Sequence, residues 1–263
     1  MKKLAARLLV ILALLNFAFA AVNEIEQAGE KAGLKPKVIK RTVLTEDDKK
    51  YALDLQNEAR SIVSPTSNNM LKLYWDEELS KTAETYSREC IYAHSHGMTT
   101  SIFKRLGENI YAKTPEGTPR EVIKAAVRHW DYEKFNYTFA TNECTDICGH
   151  YTELVWDDNY AVGCGVSTCA NIVVGDETWP VGQLVICHYG PGGNVNNRQP
   201  YRRGTSCTVC PRKYWCENKL CSESSRVAFC TCDDECSWTM PMIAKIGIAG
   251  VSWKATPHSH ICA

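Results

Sequence analysis

Between residues 45 and 130 the apolar positions recur at steps of three and four, and beyond residue 150 they recur at steps of two or in short unbroken runs. The first regime predicts helices, because 3.6 residues per turn gathers such positions on one stripe, and the second predicts strands. In TEDDKKYALDLQNEAR the stripe is Tyr51, Leu55, Ala59 and Ile62, with Thr45 and Asp48 forming a cap. WDEELSKTAETYSREC repeats the pattern with Leu79, Ala83, Tyr86 and Cys90 behind an Asp76 cap. A third helix opens at TPREV, where Thr118 caps, Pro119 takes the first turn and Glu121 closes the box, and it buries Val122, Ala126 and Trp130. Read with a period of two, HYTELVW is a strand with His150, Thr152, Leu154 and Trp156 on one face and Tyr151, Glu153 and Val155 on the other. AVGCGV and QLVICHY read as its antiparallel partners. Helices first and strands afterwards, without βα alternation, define an α+β domain. Residues 21–44, polar and marked by Gly29, Gly33 and Pro36, read as a loose extension, and PGGNVNNRQPYRRG ends the domain near residue 200.

Composition changes the picture at both ends. Lys2, Lys3 and Arg7 precede an apolar stretch from Leu8 to Phe19 and the small-x-small triplet Ala18-Phe19-Ala20, the pattern of a secretory leader cleaved after Ala20. The stretch, broken by Asn16, falls short of the roughly 20 residues that cross a bilayer. Near the other end, MPMIAKIGIAGVSW is interrupted by Pro241 and Lys245 and is also too short to span, and the terminal HSHICA is unlike a glycolipid-anchor signal. The chain carries 30 basic and 30 acidic side chains. Loss of the leader removes three of the basic ones, leaving a near-neutral secreted protein without the basic surplus that nucleic-acid binding needs.

Fourteen cysteines in an oxidising compartment read as disulfides. They fall into even groups: six in the main body (Cys90, Cys144, Cys148, Cys164, Cys169, Cys187), four close together (Cys207, Cys210, Cys216, Cys221) and four in the tail (Cys230, Cys232, Cys236, Cys262). Each region is expected to close its own bridges, with the pairing left open. Zinc held by the second group is the alternative to bridges there.

CGHYTELVW and QLVICHYGPGGNV, with NEAR at Asn57–Arg60 and GENI at Gly107–Ile110, resemble the motifs of the CAP family of cysteine-rich secretory, antigen 5 and pathogenesis-related proteins. The resemblance covers about residues 46 to 200, and GTSCTVCPRKYWCENKLC is similar to the cysteine hinge that follows the domain in animal members. Glioma pathogenesis-related and peptidase-inhibitor-like proteins are the most similar branch. The resemblance implies an α-β-α sandwich around a three-stranded antiparallel sheet, a CAP domain over residues 45–200, a hinge over 201–222 and a tail over 223–263. It also implies a cavity lined by His94 of CIYAHS, Glu108 of GENI, Glu133 of HWDYEKF and His150, with His150 opening the first strand.

Two neutral imidazoles and two carboxylates suit zinc or another divalent metal and leave room for water, so His94, Glu108, Glu133 and His150 are the candidate metal ligands. The same four are the candidate catalytic residues of a metal-dependent hydrolase or protease, the alternative function, with Ser95 as the available hydroxyl. A third possibility is a buried polar network that only fixes the fold. The leading reading is an extracellular, non-enzymatic binding protein that takes a lipid, a sterol or a protein partner; a defence protein acting through its surface is the remaining one. His188, beside Cys187, reads as an ordinary strand residue, and Asn57, Glu58 and Arg60 as a packing and hydrogen-bonding set. Asn136 in NYT is a glycosylation acceptor. The sequence departs from the family at Gln56, where histidine is usual, at Glu153, where glutamine is common, and in a tail with four cysteines instead of the six of channel-regulating members.

Overall fold

A computed structural model describes residues 35–223. The segment expected to be a leader, the extension up to residue 34 and the tail from residue 224 lie outside the described residues, and with them the tail cysteines and the apolar run near the end. In chain order the elements are β1 (Lys37–Thr42), α1 (Glu46–Ser61), β2 (Tyr74–Trp75), α2 (Glu77–Ser87), β3 (Gly107–Lys113), α3 (Pro119–Tyr132), a 3-10 turn (Glu133–Phe135), β4 (Tyr137–Thr138), β5 (Glu143–Cys144), α4 (Gly149–Leu154), β6 (Ala161–Val174), β7 (Glu177–Gly190), β8 (Tyr214–Glu217) and β9 (Leu220–Glu223).

The three long helices start where their caps predict. Thr45 and Asp48 form a reciprocal box, as do Thr118 and Glu121 with Pro119 in the first turn, and the Asp76 carboxylate accepts from the Leu79 amide at 2.8 Å. At the centre of the sheet β6 and β7 form a long antiparallel hairpin; β3 pairs with β7, β1 with β6, and the short β2 runs parallel to β6. Alternation along the strands sends side chains to two cores. Val185, Cys187 and Tyr189 pack beneath α1, α3 and α4, whereas Leu184 and Ile186 pack with Ala83 of α2 on the opposite face. The α-β-α sandwich follows. On the α2 face, a Cβ at Gly163 would stand 2.0 Å from the Ser80 backbone nitrogen, and one at Gly165 2.4 Å from Glu84 Cα. Only glycine lets the helix backbone lie this close to the strand.

The six body cysteines close among themselves as Cys90–Cys169, Cys144–Cys148 and Cys164–Cys187. The hinge cysteines pair as Cys207–Cys216 and Cys210–Cys221, so the sulfurs of Cys207, Cys210 and Cys221 that lie close together are bonded pairs and not free thiolates. The hinge hairpin β8–β9 is docked on the domain. Cys221 donates to the Met70 carbonyl at 2.7 Å and accepts from the Lys72 amide at 2.9 Å, and Leu220 joins the main core.

Four features differ from the sequence expectation. Residues 37–42, placed in the loose extension, form an edge strand because β6 offers them a free ladder of backbone groups. The sheet therefore exceeds three strands. The buried face of α1 is rotated: Ile62 is exposed, while Ala52, Gln56, Asn57 and Arg60 are inside, since these polar groups find buried hydrogen-bond partners. HYTELVW is the largest correction, because His150 does not open a strand but lies in the first turn of the short helix α4. Tyr151, Leu154 and Val155, spaced at helical steps, all enter the main core.

Candidate functional site

β3 is the edge strand of its end of the sheet, with β7 its only neighbour there. Across that edge the loop after α2 brings His94 from one face, and α4 brings His150 from the other. The loop is tethered by the Cys90–Cys169 disulfide and by the Tyr86 hydroxyl, which donates to the Ala93 carbonyl at 2.7 Å. The two imidazole centroids come within 6.2 Å.

Each imidazole meets its own carboxylate. His94 Nδ1 lies 2.7 Å from Glu108 Oε1 and His150 Nδ1 lies 2.6 Å from Glu133 Oε1. Glu133 follows the last turn of α3, and its other oxygen accepts from the His150 and Tyr151 amides at 2.9 and 3.0 Å. That oxygen satisfies the exposed donors at the start of α4, where negative charge is favoured. One carboxylate thus starts the helix and orients the histidine that the helix carries. Trp130 of α3 stacks behind His150 at 6.4 Å, its own indole N–H held by the Ile110 carbonyl.

Glu108 is the most heavily engaged group of the site. Besides His94 it accepts from the Ser95 amide at 3.0 Å and the Ser95 hydroxyl at 2.5 Å, and its Oε2 lies 2.9 Å from His188 Nε2. His188 is fully buried, directly across the β3–β7 ladder from Glu108, with its Nδ1 2.8 Å from the Thr82 hydroxyl. Burial alone would raise the Glu108 carboxyl, but bonds from His188, His94 and Ser95 outweigh it and hold the group far below the ordinary carboxylate range. Glu133 shows the same balance: burial pushes up, His150 and the two amides pull down further. Hydrogen bonding to Glu108 raises the His94 imidazole against the opposing effect of partial burial.

The structure therefore brings all four expected side chains to one place as two His–Glu pairs, with Ser95 beside them. It adds His188, which the sequence reading passed over. The strand pattern fixed the face of the sheet on which His188 lies, but the register that sets it opposite Glu108 is a tertiary fact. A cavity of about 320 Å³ opens beside His94 and Glu108, walled also by Ser95, Arg105, Glu153 and Asn194. Glu153 is almost fully buried, where it accepts from the Gly193 amide at 2.9 Å and the Asn159 side chain at 2.8 Å. Burial raises its carboxyl above the usual range despite those donors and the charges of Arg105 and Arg60.

This scaffold, its cysteines and its cavity can be set against known proteins. Residues 53–189 match the model of the family described as CAP, cysteine-rich secretory protein family. The chain belongs to that family. Mouse peptidase inhibitor 16 is 40% identical over 182 residues, which are 68% of this chain and 34% of that protein. Mouse glioma pathogenesis-related protein 1 is 35% identical over 70% of this chain and 68% of its own length. The chain thus spans about a third of the length of the peptidase inhibitor 16 relatives it matches. Among solved structures, NaASP2 with Zn2+ aligns with a TM-score of 0.53 over 68% of this chain and 97% of its own, at 24% identity, and shares the fold. No helix among the described residues of this CAP protein is long and apolar enough to cross a membrane.

Proposed function

We propose that this CAP protein is secreted and acts outside the cell as a non-enzymatic binding protein, taking up a divalent cation such as zinc at the β3 edge and engaging a lipid, sterol or protein partner. The observation that carries the reading is the paired arrangement of the histidines, each anchored through Nδ1 to its own carboxylate with the ring centroids 6.2 Å apart. Carboxylates in that position set ring orientation and raise the basicity of the imidazole, as they do for histidines that ligate metals. The imidazoles come near each other with Nδ1 taken up by a carboxylate, which leaves Nε2 of each ring as the nitrogen able to meet an ion. His94 and His150 would hold the ion, with Glu108 and Glu133 orienting them. Zinc would supply Lewis acidity there. NaASP2, with the same fold, has been crystallised with Zn2+.

Ser95 supports a binding role over hydrolysis, because its hydroxyl donates to Glu108 and not to an imidazole that could act as its base. A separate cavity of about 350 Å³ between the ends of α1 and α3, with Ala59, Ile62, Val63 and Phe135 on its apolar side and Asp131 and Lys134 on its polar side, would suit an amphipathic ligand and supports the lipid part of the reading. Asn136 of NYT would carry a glycan in the secreted protein.

Calorimetric titration of the metal-free protein with zinc tests the cation site, with thermal unfolding as a second readout. Wild type should bind one zinc and gain thermal stability, and His150→Ala and His94→Ala should each weaken binding at least tenfold while leaving the disulfide-bonded fold intact. Zinc affinity unchanged in both variants would end the assignment.

A further inference from the structure

The chain as a whole is neutral, yet its charges are unevenly placed. Between Arg198 and Lys219 lie six basic side chains, Arg198, Arg202, Arg203, Arg212, Lys213 and Lys219, against one acidic one, Glu217. Arg198 is committed to Asp157 and Asp158, Glu217 is held by Lys72, and Lys219 borders a groove that also contains Asp54 and Glu58. Arg202, Arg203, Arg212 and Lys213 are exposed, and none has an acidic side chain within ion-pair distance among the described residues. Many other cations of the domain are spent locally, Lys49 on Glu46 and Glu77, Arg120 on Asp47 and Asp48, Lys134 on Asp131.

The backbone brings the two basic pairs together. Asn68 donates its amide to the Arg202 carbonyl at 3.0 Å, and its own carbonyl accepts from the Val209 amide at 3.0 Å. Arg202 and Arg203 therefore lie on one side of that loop, and the turn leading to Arg212 and Lys213 on the other. The Cys207–Cys216 and Cys210–Cys221 disulfides fix the turn, so the charges are displayed on a rigid support. Trp215, two residues beyond Lys213, stands 43% exposed in β8. Next to the arginines a groove of about 590 Å³ is lined by Asn142, Asn197, Gln199 and Asp157, the last neutralised by Arg198, and the Asn197 amide can donate to a sulfate oxygen.

We propose that the hinge face of this protein is a binding surface for a sulfated polysaccharide. Exposed cations without an ion-pair partner among the described residues, carried on a disulfide-bonded support, attract a linear polyanion by releasing its condensed counterions. Arginine matches the geometry of tetrahedral oxyanions, and an exposed indole offers a flat face to a sugar ring. The surface is separate from the cavity at the β3 edge and stands whether or not that cavity holds a cation; it shares with the function proposed above only the extracellular setting.

Salt elution of the full mature chain from immobilised heparin tests the proposal. Wild type, although neutral overall, should be retained at physiological ionic strength, and both Arg202→Ala/Arg203→Ala and Arg212→Ala/Lys213→Ala should elute earlier, each lowering the slope of log affinity against log salt by about 2. Two pairs of exposed residues in separate segments guard against a folding artefact in either. Lys37→Ala/Lys40→Ala, which removes an equal charge from β1, should elute with wild type. Failure of wild type to be retained, equal retention on desulfated heparin, or loss of retention in the β1 variant alone would overturn the proposal. Binding to phosphatidylserine vesicles that heparin does not compete away would overturn it in favour of a membrane surface.

Discussion

Arg60 is the residue on which the site's framework can be tested most sharply. It lies 1% exposed on the inner face of α1 and makes five hydrogen bonds to four carbonyls: two to Leu71 and one each to Leu154, Trp156 and Asn159. Burial lowers its guanidinium to about 10, partly offset by Asp157, Tyr189 and Glu153, so it stays charged at neutral pH. Among the described residues no carboxylate bonds it directly. Its role is to supply donors to chain segments that no secondary-structure ladder satisfies, including the end of α4, the helix that carries His150. Arg60→Ala leaves four buried acceptors without donors, at about 1 kcal/mol each, and a cavity besides, for a loss on the order of 4–5 kcal/mol. Against a total stability of about 5–15 kcal/mol this is a large fraction, and it corresponds to a fall in Tm of roughly 10 °C. Urea unfolding with the disulfides intact, followed by near-UV circular dichroism, measures it. Arg60→Met, which refills most of the volume, should recover little, because the carbonyls stay unpaired. A loss below about 1 kcal/mol in Arg60→Ala, or a full recovery in Arg60→Met, would refute the reasoning.

Two other outcomes follow from single side chains. Glu153 has a raised folded-state value, so the native chain holds that proton more tightly than the unfolded one, and stability falls as pH climbs from the unfolded value near 4.3. Glu153→Gln removes that slope: the variant should exceed wild type by about 1–2 kcal/mol at pH 7 and match it at pH 4, and thermal melts showing the same difference at both pH values would contradict the assignment. Gly165→Ala drives a methyl into the Glu84 backbone and should cost about 3 kcal/mol or more in urea unfolding; a variant within about 0.5 kcal/mol of wild type would show that α2 can withdraw.

The departures at Gln56 and Glu153 acquire a physical meaning in the structure. Gln56 accepts from the Tyr189 hydroxyl at 2.6 Å inside the main core, so its amide serves packing and not the cavity. Glu153 leaves the strand position expected of it, on the face opposite His150, for a buried one in α4, where the acid stands beside the candidate site without bonding to either histidine.

What the sequence determined by itself is local: helix starts set by Thr45, Asp76 and Thr118, the long apolar strands, the leader composition and the even cysteine groups, while the two histidines and two acids came only through the resemblance of their motifs to the CAP family. Caps and periodicity act within one or two turns, so a linear reading captures them. Tertiary structure decided what depends on distant partners. HYTEL is helical with Glu133, from the 3-10 turn after α3, accepting from its first amides; His188 joins the site because the β3–β7 register sets it opposite Glu108; residues 37–42 become a strand because β6 has an open edge. The basic hinge region is of the same kind, for a neutral total conceals it until the Asn68 loop bonds to the segments that carry Arg202 and Arg203 and lead to Arg212 and Lys213. Such contacts gain their free energy only once the chain has closed on itself, and no window of neighbouring residues contains both partners.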